Sequence, residues 1–218
     1  MTSTPSIAIV GGTGKLGAAI AYRLGRAGYR VILGSRDPAR AAATAGELGV
    51  EAADSNAAAA TTGDIVIVTV PFAAQDATLA EIAPHVTGKI VVDTTVPLVP
   101  PKVMRVQMPP EGSAAVRAAG LLGEGVRIIS AFHNVAAHKL ASDADIGCDV
   151  LVFGDDKDAR GEVVALADAM GLRGLHAGAL VNSAAAEAMT SILIFLNKTY
   201  QVDGAGIRIT GTLTPPGA

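Results

Sequence analysis

Ile7-Ala8-Ile9-Val10-Gly11-Gly12-Thr13-Gly14-Lys15-Leu16-Gly17 is the stretch on which the reading of this chain turns. Its first four residues are a short apolar run ending in glycines, the pattern of a strand buried on both faces. From Lys15 to Ala27, Leu16, Ile20 and Leu24 recur at helical spacing, and Gly28 falls where a helix stops. Between strand and helix, Gly12-Thr13-Gly14-Lys15-Leu16-Gly17 fits the pattern G-x-G-x-x-G, which is weak alone and specific in this setting. Gly12 is expected to allow the tight turn, Gly14 to let backbone amides approach a pyrophosphate, and Gly17 to let helix and strand pack closely. Free N–H groups and the dipole at the helix start then favour the anion. The bland alternative is a strand-to-helix turn that merely tolerates glycine.

Working outward, Val31-Ile32-Leu33 reads as a second strand closed by Gly34-Ser35-Arg36. A helix over 39–48 follows, with Asp37 as N-cap and Pro38 at its first position. The end of that second strand selects the nucleotide. Domains that take NAD place Asp or Glu there to accept from the ribose 2′-hydroxyl. This chain offers Ser35 and Arg36, with Arg40 one helical turn later. A hydroxyl donor and a guanidinium suit a 2′-phosphate, which a carboxylate would repel. Asp37 is committed to capping, so NADP(H) is the expected cofactor. An ordinary solvated role stays open for Arg40.

Strands are expected over 50–53, 65–70, 90–92 and 126–129, and helices over 74–83, stopped by Pro84, and 113–122. Pro97, Pro100, Pro101, Pro109 and Pro110 leave residues 94–110 irregular, equally a lid or a rigid connector. Strand-helix alternation with right-handed crossovers gives a parallel sheet covered on both faces. The fold class is therefore α/β, a Rossmann-type doubly wound, mainly parallel sheet with a small C-terminal α/β portion. That portion holds strands over 150–153 and 172–176, a helix over 158–170 capped by Asp155 and Asp156, and a long helix over 182–200. The expected division is an NADP-binding Rossmann domain over 1–139 and a substrate-pocket and oligomerisation unit over 140–218. The boundary is soft, and the late strands equally extend the first sheet.

Open parallel sheets bind ligands beyond the carboxyl ends of their strands. Val70-Pro71-Phe72, Asp93-Thr94-Thr95-Val96-Pro97 and Ala131-Phe132-His133-Asn134 lie there and are expected to surround a nicotinamide and its redox partner. Hydride transfer joins two stacked rings in a dry pocket and asks for no protein nucleophile. No triad, metal cluster or carboxylate pair is read from the sequence, and no catalytic residue is assigned. His133 is expected to hydrogen-bond the acceptor ring more than to carry a proton, with a strand-end cap as the structural alternative. His85, His138 and His176 read as surface or packing residues, and Cys148 as a small packed side chain.

Composition bounds the rest. Of 218 residues 50% are hydrophobic, but only 3% are aromatic and none is Trp, so Ala, Val, Leu and Ile build the core. Few stacking platforms and a net charge of −3 argue against nucleic acid. A single cysteine excludes an internal disulfide, as in a reducing compartment. The first residues show no basic, apolar leader, and 184–196, which holds Glu187, is short for a bilayer span and reads as a buried helix. A cytoplasmic location without a membrane is expected. The final helix, around Ile192 to Leu196, carries more apolar surface than a small domain covers, which points to a homodimer.

With these residues in place, the chain resembles the coenzyme F420-dependent NADP oxidoreductase family (NADPH:deazaflavin reductases). The resemblance rests on residues 9–17, Gly34-Ser35-Arg36, Thr69-Val70-Pro71, Val96-Pro97 and Ser130-Ala131-Phe132-His133. It continues through Gly154-Asp155-Asp156, 168–172 and Ala177-Gly178-Ala179-Leu180 with Asn182-Ser183, and so spans nearly the whole chain. It implies Thr13 to Leu16 at the pyrophosphate, Ser35, Arg36 and Arg40 at the 2′-phosphate, and Val70, Val96 and Ala137 near the nicotinamide. His133 falls toward the deazaflavin, with Asn134 beside it as a substrate contact. The reaction implied is reversible hydride transfer between NADP(H) and coenzyme F420. The alternatives are another acceptor (a flavin, a ferric complex or an imine) or a non-catalytic NADP(H)-sensing protein. The chain departs from the family pattern at Val135-Ala136, where relatives carry Ile-Pro, and in the divergent stretch 100–110.

Overall fold

The computed structural model describes residues 4–214. Ile7–Val10 (β1) lies between Val31–Gly34 (β2) and Ile65–Val68 (β4), all parallel and all buried. Burial on both faces is why these strands read as unbroken apolar runs with no alternation. Glu51–Ala52 (β3) extends the sheet past β2, while Ile90–Asp93 (β5) and Arg127–Ser130 (β6) extend it past β4. Asp149–Gly154 (β7) then joins β6 antiparallel, and Arg173–His176 (β8) runs parallel to β7. The order is β3-β2-β1-β4-β5-β6-β7-β8, so the chain reverses direction across the sheet beside β1.

Two apolar layers sandwich the sheet. Ile7, Ile9 and Leu33 pack with Ile20 and Leu24 of Lys15–Arg26 (α1) and with Val163 and Leu166 of Lys157–Ala169 (α7). On the other face, Ala8, Val10 and Val66 pack with Asn56–Thr62 (α3), Phe72–Ile82 (α4) and Ala114–Leu122 (α5) through Ala59, Leu79 and Ala118. Each large aliphatic side chain so buried contributes about 1.5–3 kcal/mol. Arg23 of α1 fastens the first layer: its guanidinium donates to Leu140 O, Met170 O and Ala144 O at 3.0, 3.1 and 2.8 Å. The remaining helices are Pro38–Leu48 (α2), Ala137–Leu140 (α6) and Ser183–Tyr200 (α8).

Several local expectations change. α3 has too few residues to show a helical repeat; its sequence signal is Ser55, whose hydroxyl accepts from Ala58 N at 3.0 Å. β4 stops at Val68, and β3 has two residues only. Before Pro84 the α-helix does stop, at Ile82, and the chain continues in a 3₁₀ turn, Ala83–His85. Asp156 caps α7, whereas Asp155 accepts from Leu180 N at 3.0 Å. The last helix, Ser183–Tyr200, keeps the expected span but is more exposed than expected. With its preceding turn it spans Leu180–Tyr200 at a mean hydropathy of 1.3, long and apolar enough to cross a bilayer, and 33% of its most apolar window is buried. Glu187, in its middle, is 1% exposed and is held inside the fold.

Candidate functional site

Strand register aligns five carboxyl ends in one row: Gly34, Val10, Val68, Asp93 and Ser130 are lateral neighbours from β2 to β6. The turns leaving that row share one edge, beside the reversal of strand order, where open parallel sheets hold ligands.

The turn after β1 is shaped by close approach. Gly11 has φ +73°, and a Cβ there would lie 2.6 Å from Val70 Cγ1. The tight turn expected of Gly12 therefore belongs to Gly11; Gly12 instead meets Leu33, whose Cδ2 would lie 2.7 Å from an added Cβ. At Gly17 an added Cβ would sit 2.5 Å from Thr69 Oγ1 and 2.8 Å from Gly12 Cα, so α1 rests directly on the turn. Gly14 is the N-cap of α1 and brings no capping side chain. The first-turn amides have no acceptor within the helix, the arrangement that suits an anion. Lys15 is exposed at that turn, and Leu16 packs against the core.

The wall beside that turn is built from β2, α2 and α3. Ser35 Oγ, on a residue only 7% exposed, lies 3.4 Å from Thr13 Oγ1 and accepts from Asp37 N at 3.2 Å. The Asp37 carboxylate accepts from Arg40 N at 3.1 Å, as a cap should, and Arg40 Nη2 donates to Thr13 O at 3.3 Å. Arg36 is exposed. Asn56, which sequence reasoning missed, is buried and accepts Gly11 N–H at 3.1 Å. Glu81 of α4 holds it in turn, accepting from Asn56 Nδ2 at 3.4 Å and Ala57 N at 3.3 Å. Ser35, Arg36, Asp37, Arg40 and Asn56 line a cavity of about 320 Å³ together with Gly11, Thr13, Gly14, Thr69, Val70, Pro71, Ala74 and Thr78; among the described residues Asp37 is the one carboxylate on its wall.

The segment after β5 turns on a buried acid. Asp93 is fully buried; Oδ1 accepts from Thr95 N at 3.1 Å and Thr95 Oγ1 at 2.6 Å, and Oδ2 accepts from Gln75 Nε2 at 2.6 Å. Burial pushes this carboxyl above its ordinary range, against the pull of those bonds. The half-buried Val96 follows the turn so fixed.

After β6 the chain bends through Phe132, at φ +66° and 2% exposed. A bulky buried residue in the left-handed region stores strain that the surrounding packing must hold. His133 Nε2 lies 3.0 Å from Ser130 Oγ, and burial pushes its pKa down to about 4, so the ring is neutral at pH 7. Asn134 Nδ2 donates to Ala186 O at 2.9 Å and Thr190 Oγ1 at 3.1 Å, while Thr190 Oγ1 donates to His133 O at 3.1 Å. Both residues line a second cavity of about 380 Å³, against α8 and residues 202–205. Ala137 opens α6 next to that wall without lining it. His138, read as unpartnered, has Asp203 Oδ1 2.8 Å from its Nε2.

Comparison with known proteins accords with this geometry. Residues 6–97 match a family model described as NADP oxidoreductase, coenzyme F420-dependent. The chain is 40% identical to the F420-dependent NADP reductase of Methanothermobacter thermautotrophicus, over 94% of each chain. This chain belongs to the F420-dependent NADP oxidoreductase family. A second member, the F420-dependent NADP reductase of Methanocaldococcus jannaschii, is 39% identical, over 94% of this chain and 97% of that one. The family fold is also seen in a solved structure from Arthrobacter sp. FB24, at a TM-score of 0.84 and 22% identity, over 95% of this chain and 100% of that one.

Proposed function

We propose that this chain catalyses reversible hydride transfer between NADP(H) and the deazaflavin coenzyme F420. One observation carries the reading: two cavities open at the carboxyl edge of a single sheet, the first at an uncapped helix start and the second against α8. The first suits NADP(H). Backbone N–H groups of Thr13, Lys15 and Leu16 hold the pyrophosphate; Gly14, whose own N–H donates to Gly11 O at 3.0 Å, lets it approach, and Gly12 and Gly17 keep strand and helix close. Ser35, Arg36 and Arg40 grip the 2′-phosphate, with Asp37 turned to its own helix. Val70, Val96 and Ala137 flank the nicotinamide, and His133 and Asn134 face the acceptor.

When bound, the two rings supply the hydride chemistry between themselves. The protein orients them and excludes water. His133, neutral at pH 7, binds the acceptor by a hydrogen bond and moves no proton. Anaerobic mixing with NADPH and oxidised F420, followed by absorbance, tests the reading. Deazaflavin reduction matched by NADPH loss is expected; tight NADPH binding with no turnover would leave a sensing protein.

In the same reading residues 1–139 hold the nucleotide, and residues 140–218 supply the acceptor wall and a homodimer contact. The outer face of α8 bears Ile192 at 44% and Phe195 at 50% exposure, apolar surface that a second copy covers with its own identical stripe. Light scattering should give a dimer, and charges placed together by Ile192→Glu and Phe195→Glu should give a monomer. The partners are these small molecules and the second copy, without nucleic acid or membrane. The cytoplasm is the expected compartment, where the buried thiol of Cys148 stays reduced.

A further inference from the structure

We propose that Glu187 is a positioning residue whose carboxylate pins α8 to the start of α5 and so sets the spacing between the nucleotide and acceptor sides of the crevice. The inference rests on the hydride-transfer reading above. α8 has two working faces. Ser183, Glu187 and Ser191 recur every four residues and therefore share one side of the helix. Ser183 Oγ donates to Ser113 Oγ at 3.0 Å, the two carboxylate oxygens of Glu187 accept from Ala114 N at 2.7 Å and Ala115 N at 3.1 Å, and Ser191 Oγ donates to Arg105 O at 3.3 Å. All three grip the segment that runs from β5, past Val96, into α5. Ala186 and Thr190, also four apart, hold the segment after β6 through Asn134 and His133. One helix thus joins the loop that carries Val96 to the loop that carries His133.

Glu187 dominates the first seam. Its carboxyl is the one ionisable side chain whose own hydrogen bonds close that seam, and it accepts from two N–H groups that no carbonyl within α5 can satisfy. A cap alone would not need it, since Ser113 already caps α5 by accepting from Val116 N at 3.0 Å. Keeping a carboxylate 1% exposed, close enough to Asp93 to be repelled by it, is a costly way to end a helix. Rigidity across the crevice explains the cost. A shift of α8 by a fraction of an ångström would change the distance between the reacting rings and leave each ligand's own contacts intact, and transfer rate is far more sensitive to such a shift than binding is.

Glu187→Gln keeps the shape, loses the charge and can accept only one of the two N–H groups. Turnover between NADPH and F420 should fall roughly tenfold in kcat, with NADPH Kd within about twofold of native. Hydrogen exchange across residues 105–115, read without either ligand, should quicken severalfold. Native kcat in the variant, or unchanged exchange, overturns the proposal; equal losses of kcat and NADPH affinity would also overturn it, as general loosening. If Glu187→Gln does not fold, Ser191→Ala interrogates the same seam and should lower kcat while sparing NADPH affinity. A native chain that binds NADPH but never reduces F420 strikes the hydride-transfer reading instead, and the exchange measurement then decides the pin by itself.

Discussion

The turn between β1 and α1, where we propose that the anion sits, is built from backbone groups a few residues apart, whereas the wall after β6 depends on Asn134 reaching Ala186, 52 residues away. The first region is intolerant of added atoms, because Gly11, Gly12 and Gly17 each face a neighbour within 3 Å of where a Cβ would stand. The second is confined too, since a Cβ at Gly204 would lie 2.6 Å from Ala136 Cβ, but its shape depends on one docked helix. The difference teaches that damage to the turn should remove nucleotide binding outright, while damage to the wall should separate binding from transfer.

The largest effect is expected from Gly17→Val, which drives side-chain atoms into Thr69 and the Gly12 backbone. Overpacking of this kind typically costs about 1–3 kcal/mol, and it lifts α1 off the turn. Calorimetry should show NADPH binding lost; retained affinity would break the claim that this region is set by close approach. Arg36→Glu comes next. Losing a charge-assisted contact worth about 1.5–3 kcal/mol should weaken NADPH roughly 10- to 150-fold while NADH changes little. Equal losses for the two nucleotides would remove Arg36 from the 2′-phosphate. His133→Ala should raise the KM for F420 by roughly tenfold and spare NADPH affinity. A collapse of NADPH affinity would move His133 into the nucleotide region and blur the contrast.

The smallest effect is one of pH. Burial raises the pKa of Glu187 to about 7 in the folded chain, against an ordinary value of 4.5, so the carboxylate that accepts both N–H groups is fully formed only above that pH. The folded state therefore binds more protons than the unfolded one between those values, and this group's contribution to stability declines as pH rises through that window. Glu187→Gln removes that decline, so its melting temperature should gain on the native value by a few degrees between pH 5 and pH 8. His133, lowered from 6.5 to about 4, gives the opposite slope, with stability falling as pH drops through its window. That slope is common to both proteins and cancels in their difference. Identical pH dependence in the two would place Glu187 in water rather than against α5.

Much of the turn after β1 and of the wall beside it was legible because their demands are local. The Ile7–Val10 run, the glycine spacing, the Asp37 cap and the lack of an acid at Ser35 are each decided within a few residues. The division of labour between Gly11 and Gly12 was not legible, since adjacent glycines satisfy the same pattern and only the backbone shows which takes positive φ. α3 is too short for a periodic signal, and with it went Asn56, whose partner Gly11 lies 45 residues away. At the acceptor side the chain named His133 and Asn134, yet nothing near them announces Phe132 at φ +66° or the grip of α8.

By itself the amino-acid sequence determined the buried strands, the doubly wound order of strand and helix and the glycine-rich turn after β1, because apolar runs, caps and glycine sterics act over one or two turns of chain. Only the tertiary structure decided that β7 joins antiparallel, that Asp93 and Glu187 are buried acids, and that one helix ties the two sides of the crevice together. Those features are pairings between groups up to 73 residues apart, and a polar side chain does not show in its own sequence neighbourhood whether it will face water or a distant N–H.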